Sequence, residues 1–184
     1  DDCMKILSQA IQDTPALQSI SLSCRPLSDE GMAALSETIR HAPALQSVCL
    51  ECYGPISEDC MKLLSEAIRY APVLQCITLA CGPSDDGMKA LSQAIRHAPG
   101  LHSIDLSFAC SISDDGMELL SKAIRLAPAL ERISLDCYDG ISDDAMLVLS
   151  DAILHAPALQ SVQLKGFDFD PSIFDGLVSC KVSC

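Results

Sequence analysis

Apolar positions recur along this chain with two alternating periods. The segment Leu-Gln-Ser-Ile-Ser-Leu that begins at Leu17 returns with substitutions at Leu45, Leu74, Leu101, Leu130 and Leu159, at steps of 28, 29, 27, 29 and 29 residues. In each copy the pattern L-x-x-[IV]-x-L sets its last two apolar residues two apart, as in Ile104 and Leu106. That is the period of a strand with one buried face. The pattern predicts six short strands, one per repeat.

Between strands the period changes. A loop rich in Gly, Pro and Cys leads to Ser followed by two acids: Ser28-Asp29-Glu30, Ser57-Glu58-Asp59, Ser84-Asp85-Asp86, Ser113-Asp114-Asp115 and Ser142-Asp143-Asp144. A serine at the N-cap accepts a bond from an orphan amide, and carboxylates in the first turn complement the positive end of the helix dipole. Met88, Leu91 and Ile95 then follow at spacings of three and four, one inward stripe. Arg96 and His97 suit the negative end of the helix, and Pro99 stops it. Ala67, Ala94, Ala123 and Ala152 are small where neighbouring helices approach.

Strand and helix alternating in one direction impose parallel pairing, with each helix as a right-handed crossover. Strands lie about 4.8 Å apart and packed helices about 8–10 Å, so the stack bends with the sheet inside. The expected fold is therefore α/β, a right-handed βα solenoid with a parallel sheet of six short strands on the concave face and helices on the convex face. Residues 1–184 form one domain in this reading. Residues 1–16 are the helix half of a unit, with Met4, Leu7 and Ile11 as its inner stripe, and repeats start at 17, 45, 74, 101, 130 and 159. Residues 166–184, with three of the four Phe (Phe167, Phe169 and Phe174), are expected to cap the last repeat, so truncation before Phe167 exposes the core and causes aggregation. The chain lacks an initiator Met and opens inside a repeat, which is expected of a piece of a longer protein.

Composition narrows the partners. A net charge of −13 and a pI near 4.4 disfavour nucleic acid and anionic membrane, each of which needs a basic face. A neutral or basic protein remains the expected partner, and the fragment is expected to be monomeric. No apolar run reaches the roughly 18 residues of a membrane span, and no basic-then-apolar leader opens the chain. The 11 cysteines are odd in number and recur at one repeat position instead of at pairing-like spacings, and there is no Asn to accept a glycan. We therefore expect free thiols in a reducing, cytoplasmic setting.

Candidate chemistry is sparse. Cys49-Leu50-Glu51-Cys52 is a lone C-x-x-C, and on a strand its two thiols point to opposite faces, which spoils a redox pair or a zinc clamp. His41, His97 and His155 share a repeat position, but Tyr70 and Leu126 interrupt the column, leaving nearest histidines roughly 16–20 Å apart. No metal, cofactor or catalytic residue is expected. The stacked acid pairs either cap their own helices or line an edge that steers a basic partner. On the concave face the outward positions are mostly Ser, Cys and Thr, with Arg132 as the one residue of a usual anchor type. The contact residues expected from this pattern are Asp105, Phe108, Arg132, Asp136 and Tyr138, at the C-terminal half of the face and its loop rim.

The 28- and 29-residue units resemble the leucine-rich repeats of the ribonuclease-inhibitor type over residues 1 to about 165. The resemblance implies a horseshoe-shaped recognition module of the kind found in inhibitors, intracellular immune receptors and bacterial effectors, with the host cytoplasm as the setting in the effector case. It also implies an alternative, an array related to GTPase activators or to the substrate-recognition part of ubiquitin-ligase effectors. Members carry Asn or Cys just after the strand. Here Cys24, Cys52, Cys81 and Cys137 stand two residues past the final Leu, and Phe108 and Gly166 break the series. The absence of Asn argues against the GTPase-activator alternative.

Overall fold

A computed structural model describes residues 2–24, 27–108, 112–137, 140–166 and 181–183. Its elements alternate from α1 (Asp2–Gln12) through β1 (Ser19–Cys24), α2 (Asp29–His41), β2 (Ser47–Pro55), α3 (Glu58–Tyr70), β3 (Cys76–Gly82) and α4 (Asp85–His97). They continue with β4 (Ser103–Phe108), α5 (Asp114–Leu126), β5 (Arg132–Cys137), α6 (Asp143–His155), β6 (Ser161–Lys165) and β7 (Lys181–Ser183). The strands form one parallel, open sheet in sequence order. Each helix packs on its successor, which stacks all of them on one side. This is the expected α/β repeat solenoid, with one addition. The Lys181-Val182-Ser183 strand pairs with β6, and a three-residue segment without the L-x-x-[IV]-x-L signature gave no sign of it.

Every helix from α2 to α6 starts as its sequence dictates. The N-cap hydroxyls of Ser28, Ser57, Ser84, Ser113 and Ser142 accept bonds from the amides of Gly31, Cys60, Gly87, Gly116 and Ala145 at 2.9–3.2 Å. The inner stripe then fills the space behind the sheet. Met61, Leu64 and Ile68 repeat as Met88, Leu91 and Ile95 and again as Met117, Leu120 and Ile124, all buried. They meet the inward strand residues Val48 and Leu50, Ile77 and Leu79, Ile104 and Leu106, and Ile133 and Leu135. The same residue type in the same register gives each repeat an almost identical apolar layer, and stacking buries it from both sides. The predicted small column is also buried, with Ala67, Ala94, Ala123 and Ala152 at most 3% exposed.

A second ladder ties the strand entries together. The carbonyl of Gln18 accepts the amides of Gln46 and Ser47, and those of Gln46, Gln75, His102 and Glu131 each accept the corresponding two amides of the next repeat. One carbonyl shared by two donors sets the register where each loop enters its strand.

The column two residues past the final strand Leu faces inward. Cys52, Cys81 and Cys137 are at most 4% exposed, and burial, aided by Asp136, pushes the Cys137 thiol up to about 12. Gly166 belongs to the same column for a steric reason. At φ +73° any Cβ would stand 2.2 Å from the Cys137 carbonyl oxygen, so no side chain fits.

Candidate functional site

The outward face of the sheet presents every second strand residue, and the register shows which of them are neighbours. Ser103, Arg132 and Ser161 form one row across β4, β5 and β6; Asp105, Ser134 and Gln163 form the next; Ser107, Asp136 and Lys165 form the third. Arg132 is exposed, Asp105 and Asp136 are half-buried, and Lys165 is exposed. With strands about 4.8 Å apart and about 3.3 Å per residue, Arg132 lies about 8 Å from Asp105 and about 13 Å from Asp136. Small hydroxyls separate these charges, and none of the four makes an ion pair or a side-chain hydrogen bond among the described residues.

The expected site is thus assembled in part. Asp105, Arg132 and Asp136 lie together on the face, and Lys165, not counted among the expected contacts, completes the charge pattern beside Asp136. Phe108 does not belong to it. The ring is 3% exposed and sits in register with Cys137, filling the position that thiols occupy in neighbouring repeats. Its place two residues past Leu106 was the sign that it is a core residue. Tyr138 lies outside the described residues.

The thiols divide as strand alternation requires: Cys49 is half-buried on the outward face and Cys52 is buried beneath it. Cys49, Cys60, Cys76 and Cys137 carry free thiols. Burial raises the Cys60 pKa, and its thiol donates to Asp29 Oδ1 at 3.2 Å. Brief alkylation of the native protein, followed by peptide mapping, should label Cys49 and Cys76 well before Cys60 and Cys137. Equal labelling of Cys49 and Cys137 would contradict the buried column.

The acid pairs have a structural use that sequence alone concealed. The N-cap hydroxyl of Ser57 donates to Asp29 Oδ1 at 2.8 Å, Ser142 donates to Asp114 at 2.7 Å, and Ser113 bonds Asp85 in the same way. Each bond joins residues 28 positions apart. Glu58 breaks the series, because its longer side chain turns to Lys62 on its own helix. The outer acids Asp86, Asp115 and Asp144 remain exposed. The histidine column also serves its own helices, with Nδ1 of His41 and His155 against the carbonyls of Glu37 and Asp151 at 3.0 and 2.8 Å.

Hydrogen bonds from Cys60 and then Ser57 hold the Asp29 carboxyl below its ordinary value of 3.8. A depressed carboxylate pKa contributes stability that is complete above the ordinary value and is lost as pH falls through the folded-state value. Melting temperature should therefore decline in acid below about pH 4, and Asp29→Asn should lessen that decline. An unchanged acid limb would show that the ladder adds nothing to stacking.

No family model matches this chain, and no curated protein sequence does. No helix among the described residues is long and apolar enough to cross a membrane. The fold, by contrast, recurs among solved structures, with 73 chains that match. One of them is titled "Leiomodin-1 Actin-Binding Site 2 (ABS2)": it is 15% identical, with a TM-score of 0.65 over 78% of this chain and 84% of that one. At that identity the likeness is one of architecture, and it places this chain among the strand-plus-helix repeat folds.

Proposed function

We propose that this chain is a non-catalytic protein-binding module that holds its partner on the outward sheet face, over the patch that carries Arg132 at one end, Asp105 in the middle row and Asp136 with Lys165 at the other end. The observation that carries the reading is the set of four charges that have no ion pair or side-chain hydrogen bond among the described residues, on the part of the face across β4, β5 and β6 where the other outward positions are Ser and Gln. Small side chains let a partner approach the sheet closely, while the charges fix its orientation. A guanidinium among carboxylates and hydroxyls suits a partner segment that offers both a carboxylate and a basic group. The reading is that of a ribonuclease-inhibitor-type leucine-rich repeat acting in the cytoplasm; its protein-binding part alone is compatible with the actin-binding title of the similar structure.

The exposed acids at the helix starts add long-range attraction for a basic partner, so association should slow as salt rises. The direct test compares the intact chain with Arg132→Glu as baits for partners cross-linked in lysate. A protein held by the first and lost from the second supports the reading; identical captured sets would remove it.

A further inference from the structure

Four of the described cysteines, Cys52, Cys60, Cys81 and Cys137, are buried. Cys49 and Cys76 depart from that pattern, being half-buried on the outward face of the sheet with free thiols. Neighbouring repeats hold hydroxyls at both places. Ser21 and Thr78 stand in register with Cys49, and Ser47 and Ser103 with Cys76. Strand parity separates Cys49 from Cys52, but it brings Cys49 to Cys76 on the next strand. Ser47 pairs with Cys76 and Cys49 with Thr78, so the two thiols occupy one diagonal of a four-residue block and two hydroxyls occupy the other. Neither thiol makes a hydrogen bond or ionic contact among the described residues.

The spacing decides what this pair can hold. One strand across and two residues along, at about 4.8 Å and 3.3 Å per step, puts the two Cα atoms about 8 Å apart. A disulfide needs less than about 7 Å, so the pair cannot close directly without backbone movement. A disulfide bond of about 2.05 Å most often spans Cα atoms about 5.5–6 Å apart. Placing one metal ion in line between the sulfurs, with metal–sulfur bonds of about 2.3 Å, lengthens that span by about 2.5 Å. The sum is about 8 Å, the separation that the register provides.

We propose that Cys49 and Cys76 form a two-coordinate site for cuprous ion on the outward face. Copper(I) is soft and selects thiolate ligands, and its filled d shell accepts two of them in a line. Zinc fits poorly, because it takes four ligands and no group of three His, Cys, Asp or Glu side chains that could hold a metal occurs among the described residues. Binding exchanges two thiol protons for one Cu(I): the products are a bis-thiolate complex and two protons released to solvent, with no change in oxidation state. Affinity therefore rises with pH. The hydroxyls of Ser47 and Thr78 occupy the other two corners of the block, the register positions from which a donor serves a thiolate. A net charge of −13 also favours the approach of a cation.

Anaerobic titration of the reduced 184-residue chain with cuprous ion, supplied as its acetonitrile complex in competition with a chromogenic Cu(I) chelator, tests this. The first equivalent should bind through the pair, and brief alkylation followed by peptide mapping should find Cys49 and Cys76 both protected in the loaded protein. Cys49→Ser and Cys76→Ser should each raise the dissociation constant of that equivalent more than about a hundredfold, beyond what loss of an outer partner costs. Serine already stands at the matching places, Ser21 and Ser47, so folding, checked by circular dichroism, should be kept. X-ray absorption at the copper edge should show two sulfur neighbours and no third ligand. A first equivalent that neither substitution weakens would overturn the proposal. So would loading that leaves both thiols open to alkylation, or a bound ion with three or more ligands.

Discussion

Truncating Leu135 to alanine is expected to destabilise the protein by about 3–5 kcal/mol, the range for a buried leucine whose cavity cannot collapse. Leu135 is fully buried and stands in register between Leu106 and Leu164, with β5 held on both sides. Parallel strands fixed by neighbours on each side have little freedom to close over a void. Total stabilities of about 5–15 kcal/mol make such a loss severe. In a stack where each repeat contacts only its neighbours, a weak central layer also uncouples the units on either side. Two consequences are measurable. The urea midpoint should fall with the transition broadening, and binding through Arg132 and Asp136 on the same strand should fall with it. A cost below about 1 kcal/mol would mean that the layer is not packed as described.

Replacing Arg132 by glutamate is expected to have the opposite profile, with little effect on folding and a large effect on binding. Arg132 is exposed and forms no ion pair among the described residues, so stability should change by no more than about 0.5 kcal/mol. Partner affinity should drop roughly 30- to 1,000-fold, about 2–4 kcal/mol, because the substitution removes an anchor and puts a carboxylate in its place on the face that already carries Asp105 and Asp136. Lys165→Ala, at the edge of the same group, should have a smaller effect that shows mainly as a slower association rate in low salt. If Arg132→Glu bound as tightly as the unaltered chain, the patch would have been misassigned.

The sequence made the architecture legible because each repeat states its own structure. Six copies of a period-two run and five Ser-acid-acid caps leave few topologies open, and alternation correctly sent Cys49 outward and Cys52 inward. What it concealed depends on the register between repeats. The bond from Ser57 to Asp29 spans 28 residues and exists only once two helix starts lie side by side. Reading each acid against its own helix could not reveal it. Phe108 was misplaced because an aromatic residue beside a loop suggests a contact, whereas its column position assigns it to the core. The short β7 strand lacks an apolar pattern, and pairing alone defines it. Arg132, Asp105 and Asp136 were legible because strand parity decides the face. That they lack ion pairs among the described residues could be learned only from the folded chain.

The central claim is that the sheet, not the helical layer, is the binding surface, and site-specific photo-cross-linking tests it most directly. A photoreactive residue at Ser134, between Asp105 and Gln163 on the outward face, should form an adduct with the captured partner, and Arg132→Glu should abolish it. The same group at Gln93, exposed on α4, should form none. An adduct from Gln93 with none from Ser134 would place the partner on the helices and contradict the account.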